Sequence, residues 1–476
     1  MRLTVTSIVA FLLLTMVTAQ DALTKFVNHN ALRTANISVL IKDMKTGNVV
    51  AEYRAGQAAI PASTMKVVTT ATALELLGKD FRYETVLSYD GTTDKDGTLN
   101  GNLYIVGSGD PTLGSSKMGD TQFLKKWVQA LRDAGIRKIN GNIVGDDSRF
   151  DNEGANPKWT WDDIGNYYAP GIWGIAYRDN MVAVTFQSGA AGTTPAITQT
   201  FPLIPGMTIE NHVTSTKTTS DNAYFYGAPK SMNRLVRGEI PSNRPSFVVR
   251  AELPNPALLL AQDLQAALLR EGMEVGGQAL DQDMHQRGKT NIPVTRTTLY
   301  THLSVPLSEI IKEANQKSNN FYTEQIFKSL SLSKFPIATN QRSFELVRQY
   351  WRSKGLDINE LFMEDGSGLS PANAVSARFF TELMQYMYQK SANKDEFVSS
   401  LAVAGKVGTL AGFLNNTALD GKLTGKSGTI SRVRAYTGYI TNNNREWAFA
   451  VLVNNPATNS WQTLSIIEDF LKDISK

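Results

Sequence analysis

Ser63 and Lys66, one helical turn apart in Pro61-Ala62-Ser63-Thr64-Met65-Lys66, are the two side chains of this chain best spaced for covalent chemistry. A serine hydroxyl is a poor nucleophile at neutral pH and needs a base beside it; a partly desolvated lysine amine can supply one. The spacing puts both on one face of a helix. Val67, Thr70, Ala71, Leu74 and Leu77 recur at helical intervals after them, and Gly78 supplies a stop. Backbone N–H groups at the start of that helix would face developing negative charge. Such a pair suits acyl transfer.

The SxxK spacing is not selective by itself. Ser331-Leu332-Ser333-Lys334 and Ser391-Ala392-Asn393-Lys394 share it, but the first runs into Pro336 and the second is a polar stretch, so neither opens a long apolar helix. Alone, Ser63 reads as an N-cap and Lys66 as a solvated first-turn residue. Two distant elements change that weighting. Ser318-Asn319-Asn320 breaks two helical stretches, one with an apolar stripe of Leu307, Ile310, Ile311 and Ala314, the other running from Phe321 to Leu330. A C-cap followed by an N-cap would explain these residues without chemistry. Gly425-Lys426-Ser427-Gly428-Thr429 lies on a strand, where Lys426, Ser427 and Thr429 offer a cation and hydroxyls to a carboxylate and Gly428 lets a ligand lie close. An edge lysine that discourages sheet aggregation is the plainer reading.

Each element has decoys, Lys45-Thr46-Gly47 for the third and Ser231-Met232-Asn233 and Ser391-Ala392-Asn393 for the second. The specific signal is the ordered set: a helix-opening SxxK, a Ser-x-Asn between helices, then a strand-borne Lys-Ser-Gly. A phosphate loop is disfavoured, since Walker A needs four residues before its Gly-Lys and Gly421 leaves three. His29, His212, His285 and His302 form no paired-ligand spacing, so neither a metal site nor a Ser-His-Asp triad is indicated. No cofactor is called for.

The elements that must bring these pieces together lie at the two ends of the chain. Asn36 to Lys42 and Asn48 to Tyr53 read as a hairpin around the turn Asp43 to Gly47. Gly421 to Ile430, Ala435 to Thr441 and Trp447 to Val453 read as three later strands, and Trp461 to Leu471 as a closing amphipathic helix. One antiparallel five-stranded sheet results only if the termini meet. The texture between about Phe81 and Thr290 is different, with short strands, glycine-rich turns and helices at Thr121 to Ala134 and Pro256 to Glu271. The fold class is therefore α+β, with residues 20–80 and 291–476 forming a discontinuous domain and residues 81–290 one or two inserted lobes. Tryptophans and tyrosines from Trp159 to Trp173 suit either a carbohydrate platform or local core.

At 476 residues, two or three domains are expected, and 42% hydrophobic with 19% charged residues is a globular composition. Residues 1–19 read as a signal peptide: Arg2, an apolar run from Ile8 to Val17, and Val17-Thr18-Ala19 as a cleavage site. That run is shorter than the roughly 20 residues needed to span a bilayer, and no other segment approaches this length, so no transmembrane anchor is expected after cleavage. With no cysteine there are no disulfides and no lipidated cysteine after the signal. A net charge of +4 argues neither for nucleic acid nor for a polybasic membrane contact.

The three-part set resembles the penicillin-recognising acyl-transferases. More closely it resembles the D-alanyl-D-alanine carboxypeptidase/endopeptidase family, the S13 peptidases or class C low-molecular-mass penicillin-binding proteins. The likeness covers nearly the whole mature chain. It includes the separation of about 250 residues between the first two motifs and the segments Gly107 to Leu113, Gly145 to Phe150, Asp365 to Ser370 and Val403 to Gly405 near Gly408 to Leu410. Ser427 stands where threonine is usual, and Lys406-Val407 where a less basic pair is common.

The resemblance implies a β-lactamase/transpeptidase-like domain and a periplasmic serine-type carboxypeptidase, also a DD-endopeptidase, acting on peptidoglycan stem peptides and covalently inhibited by β-lactams. Ser63 would be the nucleophile, Lys66 the base and Ser318 the proton relay. Asn320 would bond the substrate amide or Lys66, while Lys426, Ser427 and Thr429 would hold the terminal carboxylate. Asp146 would reach in from the inserted lobe toward a cationic substrate side chain, although a turn or cap would equally explain it. A β-lactamase and a catalytically silent cell-wall-binding protein are the competing readings. The oligomeric state stays open, a homo-oligomer included.

Overall fold

A computed structural model describes residues 19–287, 295–442 and 445–476. The expected signal peptide at residues 1–19 lies, apart from Ala19, outside these described residues. The chain divides into two compact units. The first comprises the described part of Met1–Asp80 with Leu307–Leu330 and Asn340–Lys476; the second comprises the described part of Phe81–Pro306 with Ser331–Thr339.

The first unit is built on a six-stranded sheet, with a small three-stranded sheet of Leu361–Phe362, Ala374–Ser376 and Ala58–Ala59 beside it. The six strands follow the order Val49–Tyr53, Asn36–Asp43, Arg445–Asn454, Val433–Asn442, Leu423–Ile430 and Ala402–Val403. The first five are the expected strands, and the sixth is a two-residue addition at the edge. The termini meet through an antiparallel ladder from Asn36 opposite Asn454 to Asp43 opposite Trp447. Period-two alternation fixes which side chains face which layer. Ile37, Val39, Ile41, Phe449, Val451 and Val453 join Ile466, Ile467, Phe470 and Leu471 of helix Ser460–Ile474 in one core, where Phe26 stacks on Phe470 at 4.5 Å. On the opposite face helix Ala377–Gln389 is tied down by bonds from Thr381 Oγ1 to the Leu40 carbonyl and from Tyr439 Oη to the Met384 carbonyl. With both faces covered, residues 447–454 are buried without a break.

Helix Lys66–Leu77 departs from the expected amphipathic pattern. Residues 66–74 are buried all round, as befits a helix packed on every side. Its threonines survive burial because their hydroxyls are bonded: Thr69 to the Gly366 carbonyl, Thr70 to that of Lys66 and Thr72 to that of Val68.

The second unit begins at Phe81 and runs on to Pro306, beyond the expected return at residue 291. Strand Thr297–Leu303 pairs antiparallel with Glu84–Tyr89, so those residues belong to the inserted unit. Among the described residues it holds sheets of five, four, three and three strands around one apolar cluster. Helix Pro256–Arg270 has the signals expected of it, with Pro256 in the first turn and the Asn255 side chain accepting from the Leu258 amide. Trp159 and Trp173 belong to the core, whereas Trp161 and Tyr167 are exposed.

Candidate active site

A short 3-10 turn, Ala62–Met65, precedes helix Lys66–Leu77 and carries Ser63. The serine is therefore not spent as an N-cap. Ala62 sits at φ 45°, an uncommon conformation for a residue with a Cβ, and this bend precedes the nucleophile. Gly428 explains how a strand approaches this turn. A Cβ there would lie 2.4 Å from the Pro61 carbonyl oxygen and 3.0 Å from the Ser63 and Thr64 nitrogens. The missing side chain thus makes room for the nucleophile turn itself, rather than for a ligand as expected from sequence.

Ser63, Lys66, Ser318, Asn320 and Lys426 converge in the first unit. Lys66 Nζ lies 3.0 Å from Ser63 Oγ, 2.6 Å from Asn320 Oδ1 and 2.7 Å from the Ser367 carbonyl oxygen. Asn320 Oδ1 and the Ser367 carbonyl can only accept. A neutral amine has two N–H groups and one lone pair, so these two acceptors use both hydrogens and leave the lone pair toward Ser63. Burial holds the Lys66 amine down to about 7 from 10.5, against the upward pull of Asp365 and Glu324. The amine is neutral in a substantial fraction of molecules near neutral pH.

Lys426 Nζ donates to Ser318 Oγ at 2.9 Å and to the Ser427 carbonyl at 2.8 Å. Burial, and then the charge of Lys66, hold its amine well below the usual lysine range. Ser318, the partner of Lys426, sits at φ 57° in the break between helices Leu307–Gln316 and Asn320–Ser329. Capping there falls to Asn319, whose side chain accepts from the Tyr322 amide at 3.1 Å. The capping and chemical readings of Ser-x-Asn are thus divided between its residues: the middle one caps the helix, and the outer two meet the lysines.

Ser427 and Thr429 face the other side of their strand. Register places them opposite Tyr436 and Arg434. Ser427 Oγ donates to Thr409 Oγ1 at 2.8 Å, while Thr429 Oγ1 accepts from Arg434 Nη1 at 2.8 Å. With Ser63 and Ser318 these residues line a cavity of about 400 Å³ whose far wall is Phe413, Trp461 and Leu464. Lys406, the basic departure noted in sequence, is paired with Asp420 at 2.8 Å.

Two groups escaped sequence reasoning. Glu324 is one turn beyond Asn320 on the same helix and is 3% exposed; its carboxylate accepts from the Ser367 amide at 2.6 Å and the Gly366 amide at 3.1 Å. Asp365 accepts from the Gly368 amide at 2.7 Å. That amide belongs to the same peptide unit as the Ser367 carbonyl, so Asp365 and Lys66 grip one peptide plane from opposite ends. Burial and then the Asp365 charge push the Glu324 carboxyl up to about 8. The signal was available: Glu324 lies at helical spacing from Asn320, and Asp365 sits in the quoted Asp-Gly-Ser-Gly segment.

Asp146 lies in the second unit, 3% exposed, and accepts from Arg296 Nη1 at 2.6 Å and from Ser148 Oγ at 2.6 Å and N at 3.1 Å. These bonds, a turn closed on Ser148 and an ion pair with Arg296, lie within its own unit. Among the described residues no group of acidic or histidine side chains is arranged to hold a metal ion, and no helix is long and apolar enough to cross a membrane.

The family model described as the D-Ala-D-Ala carboxypeptidase 3 (S13) family matches residues 19–471. The chain belongs to that family. Among S13 relatives, it is 28% identical over 439 residues to a D-alanyl-D-alanine carboxypeptidase of Actinomadura sp. (strain R39), covering 89% of this chain and 78% of that protein. It is 24% identical over 439 residues to the D-alanyl-D-alanine carboxypeptidase DacB of Haemophilus influenzae, covering 90% and 87%. The crystal structure of penicillin binding protein 4 (dacB) from Haemophilus influenzae superposes with a TM-score of 0.80 at 23% identity, covering 94% of this chain and 97% of that one. This S13 fold is the one expected from the three motifs.

Proposed function

We propose that this S13 protein is a serine-type D-Ala-D-Ala carboxypeptidase and DD-endopeptidase of peptidoglycan stem peptides, exported to the periplasm by the segment read as a signal peptide. The observation that carries this reading is the Lys66 amine, bonded to two acceptors and held 3.0 Å from Ser63 Oγ.

Lys66 in its neutral form takes the Ser63 proton as Oγ attacks the carbonyl between two terminal D-alanines. The C–N bond breaks, and the proton passes through Ser318, bonded to Lys426, to the departing amine. Backbone N–H groups of Ser63 and Thr429 stabilise the oxyanion, a contribution of about 3–4 kcal/mol per donor. Ser427 and Thr429 hold the substrate carboxylate beside Arg434. Water then releases the acyl group, and a β-lactam enters by the same attack but leaves more slowly.

A β-lactamase needs a group dedicated to rapid deacylation. The buried carboxylates of Glu324 and Asp365 accept from the backbone of residues 366–368 instead. A silent binding protein has no use for a lysine held against its nearest serine in a form ready to deprotonate it.

Release of D-alanine from a pentapeptide ending in D-Ala-D-Ala tests the reading. Wild type should release it and Ser63→Ala should not; equal release by both would end the proposal.

A further inference from the structure

The cavity beside Ser63 extends past the groups needed to bind a departing D-alanine. Alternation along strand Val433–Asn442 puts Arg434 and Tyr436 on the face covered by helix Ser460–Ile474. Arg434 is the charged member of the cavity wall, fixed by Thr429 Oγ1 and by a bond from its Nε to Ser460 Oγ at 2.8 Å. Behind it Phe413 stacks on Tyr436, with ring centroids 4.4 Å apart and planes at 9°. Leu464 and Trp461 continue this wall, and Trp461 is 79% exposed.

A departing D-alanine has one carboxylate and one methyl group. Its carboxylate would satisfy Arg434, leaving the Trp461 and Leu464 surface uncovered. In a cross-link the departing amine belongs to a diamino acid of a neighbouring stem peptide. Where that residue is a diamino dicarboxylic acid, the carbon bearing the departing amine also has a carboxylate, and a methylene chain follows. The carboxylate matches the planar, fixed guanidinium, and the chain matches the aromatic and aliphatic wall beyond it.

We propose that Arg434, Trp461, Leu464 and the Phe413–Tyr436 pair form a leaving-group subsite for a diamino acid of a second stem peptide, so that the cleft favours cutting cross-links over trimming single stems. This rests on Ser63 being the acylated nucleophile. The bond chemistry is unchanged: the Ser63 ester forms, the amide C–N bond breaks, and the neighbouring strand leaves as a free amine carrying the proton given up by Ser63.

The experiment measures kcat/KM on a soluble pentapeptide and on a purified cross-linked muropeptide dimer, for wild type, Trp461→Ala, Trp461→Phe and Arg434→Gln. Trp461→Ala should lower the dimer-to-pentapeptide ratio about tenfold, mainly through KM for the dimer, and Trp461→Phe should restore most of it. Arg434→Gln should lower both activities roughly 10- to 100-fold, because both leaving groups have the carboxylate. The ratio is taken within one sample, so partial unfolding of a variant does not move it. An unchanged ratio in Trp461→Ala overturns the inference. So does a wild type that trims pentapeptide but leaves the dimer intact, a result that spares the Ser63 reading. A wild type that takes up no β-lactam at Ser63 overturns that reading and the inference with it.

Discussion

Replacing Lys66 with methionine should stabilise the folded chain increasingly as the pH falls from about 10.5 to about 7. Lys66 is fully buried, and burial lowers its amine from 10.5 to about 7. Because the folded-state value is depressed, the unfolded chain binds the proton more tightly. The charged amine therefore destabilises the fold, by nothing above pH 10.5 and by a full, constant amount below pH 7. The slope midway is about 1.36 kcal/mol per pH unit and halves at the folded-state value, so between pH 9 and pH 7 the wild type should lose about 2.3 kcal/mol relative to Lys66→Met. Lys426 reinforces the trend, since Lys66 repels it and the variant removes that repulsion. The absolute difference at any one pH also contains the orphaned acceptors on Asn320 and Ser367, which cost the variant about 1–3 kcal/mol each. Only the change with pH isolates the titration of Lys66. Equilibrium unfolding in guanidinium at pH 7 and pH 9 gives the number, and the acid limb of β-lactam acylation in wild type should fall near the same pH of about 7. A stability difference that does not vary between the two pH values would mean that Lys66 is charged throughout, and the base assignment would be lost.

Two further substitutions test the geometry around that lysine. Ser318→Gly relieves a left-handed residue at φ 57° but takes a bond from buried Lys426, so the two effects should nearly offset and leave thermal stability within about 1 kcal/mol of wild type, while kcat falls at least about 100-fold for want of the relay hydroxyl. A loss of several kcal/mol together with the fall in kcat would show that Ser318 is structural. Gly428→Ala forces a methyl group against the Pro61 carbonyl, 2.4 Å away, and should slow acylation at least about 100-fold without changing far-UV circular dichroism; acylation at the wild-type rate would mean that the strand need not lie so close to the nucleophile turn.

Much of the site was legible because its chemistry is carried by short, ordered motifs. SxxK, Ser-x-Asn and Lys-Ser-Gly named the residues, and β-branched runs at both ends named the sheet that gathers them. What escaped depends on register. With the fourth strand begun at Ala435, Arg434 fell in a turn; the strand starts at Val433, and one more pair across the hairpin sets Arg434 opposite Thr429. Strand Thr297–Leu303 was assigned to the wrong unit because its partner, Glu84–Tyr89, lies more than 200 residues earlier. The Glu324–Asp365 pair needed the loop after residue 364 folded beneath Lys66, a contact that no periodicity encodes. The bond between Asp146 and Arg296 joins residues 150 apart, and no local signal marked it. Local signals specified the elements and their ends, whereas pairings across long separations were visible only where a motif marked both sides.

The most direct measurement is peptide mapping by mass spectrometry of the intact protein after treatment with penicillin. One penicilloyl group is expected, on the peptide containing Ser63, with acylation slowing as the pH falls below about 7. A stable adduct on any other residue, or turnover of the antibiotic with no adduct at all, would contradict it.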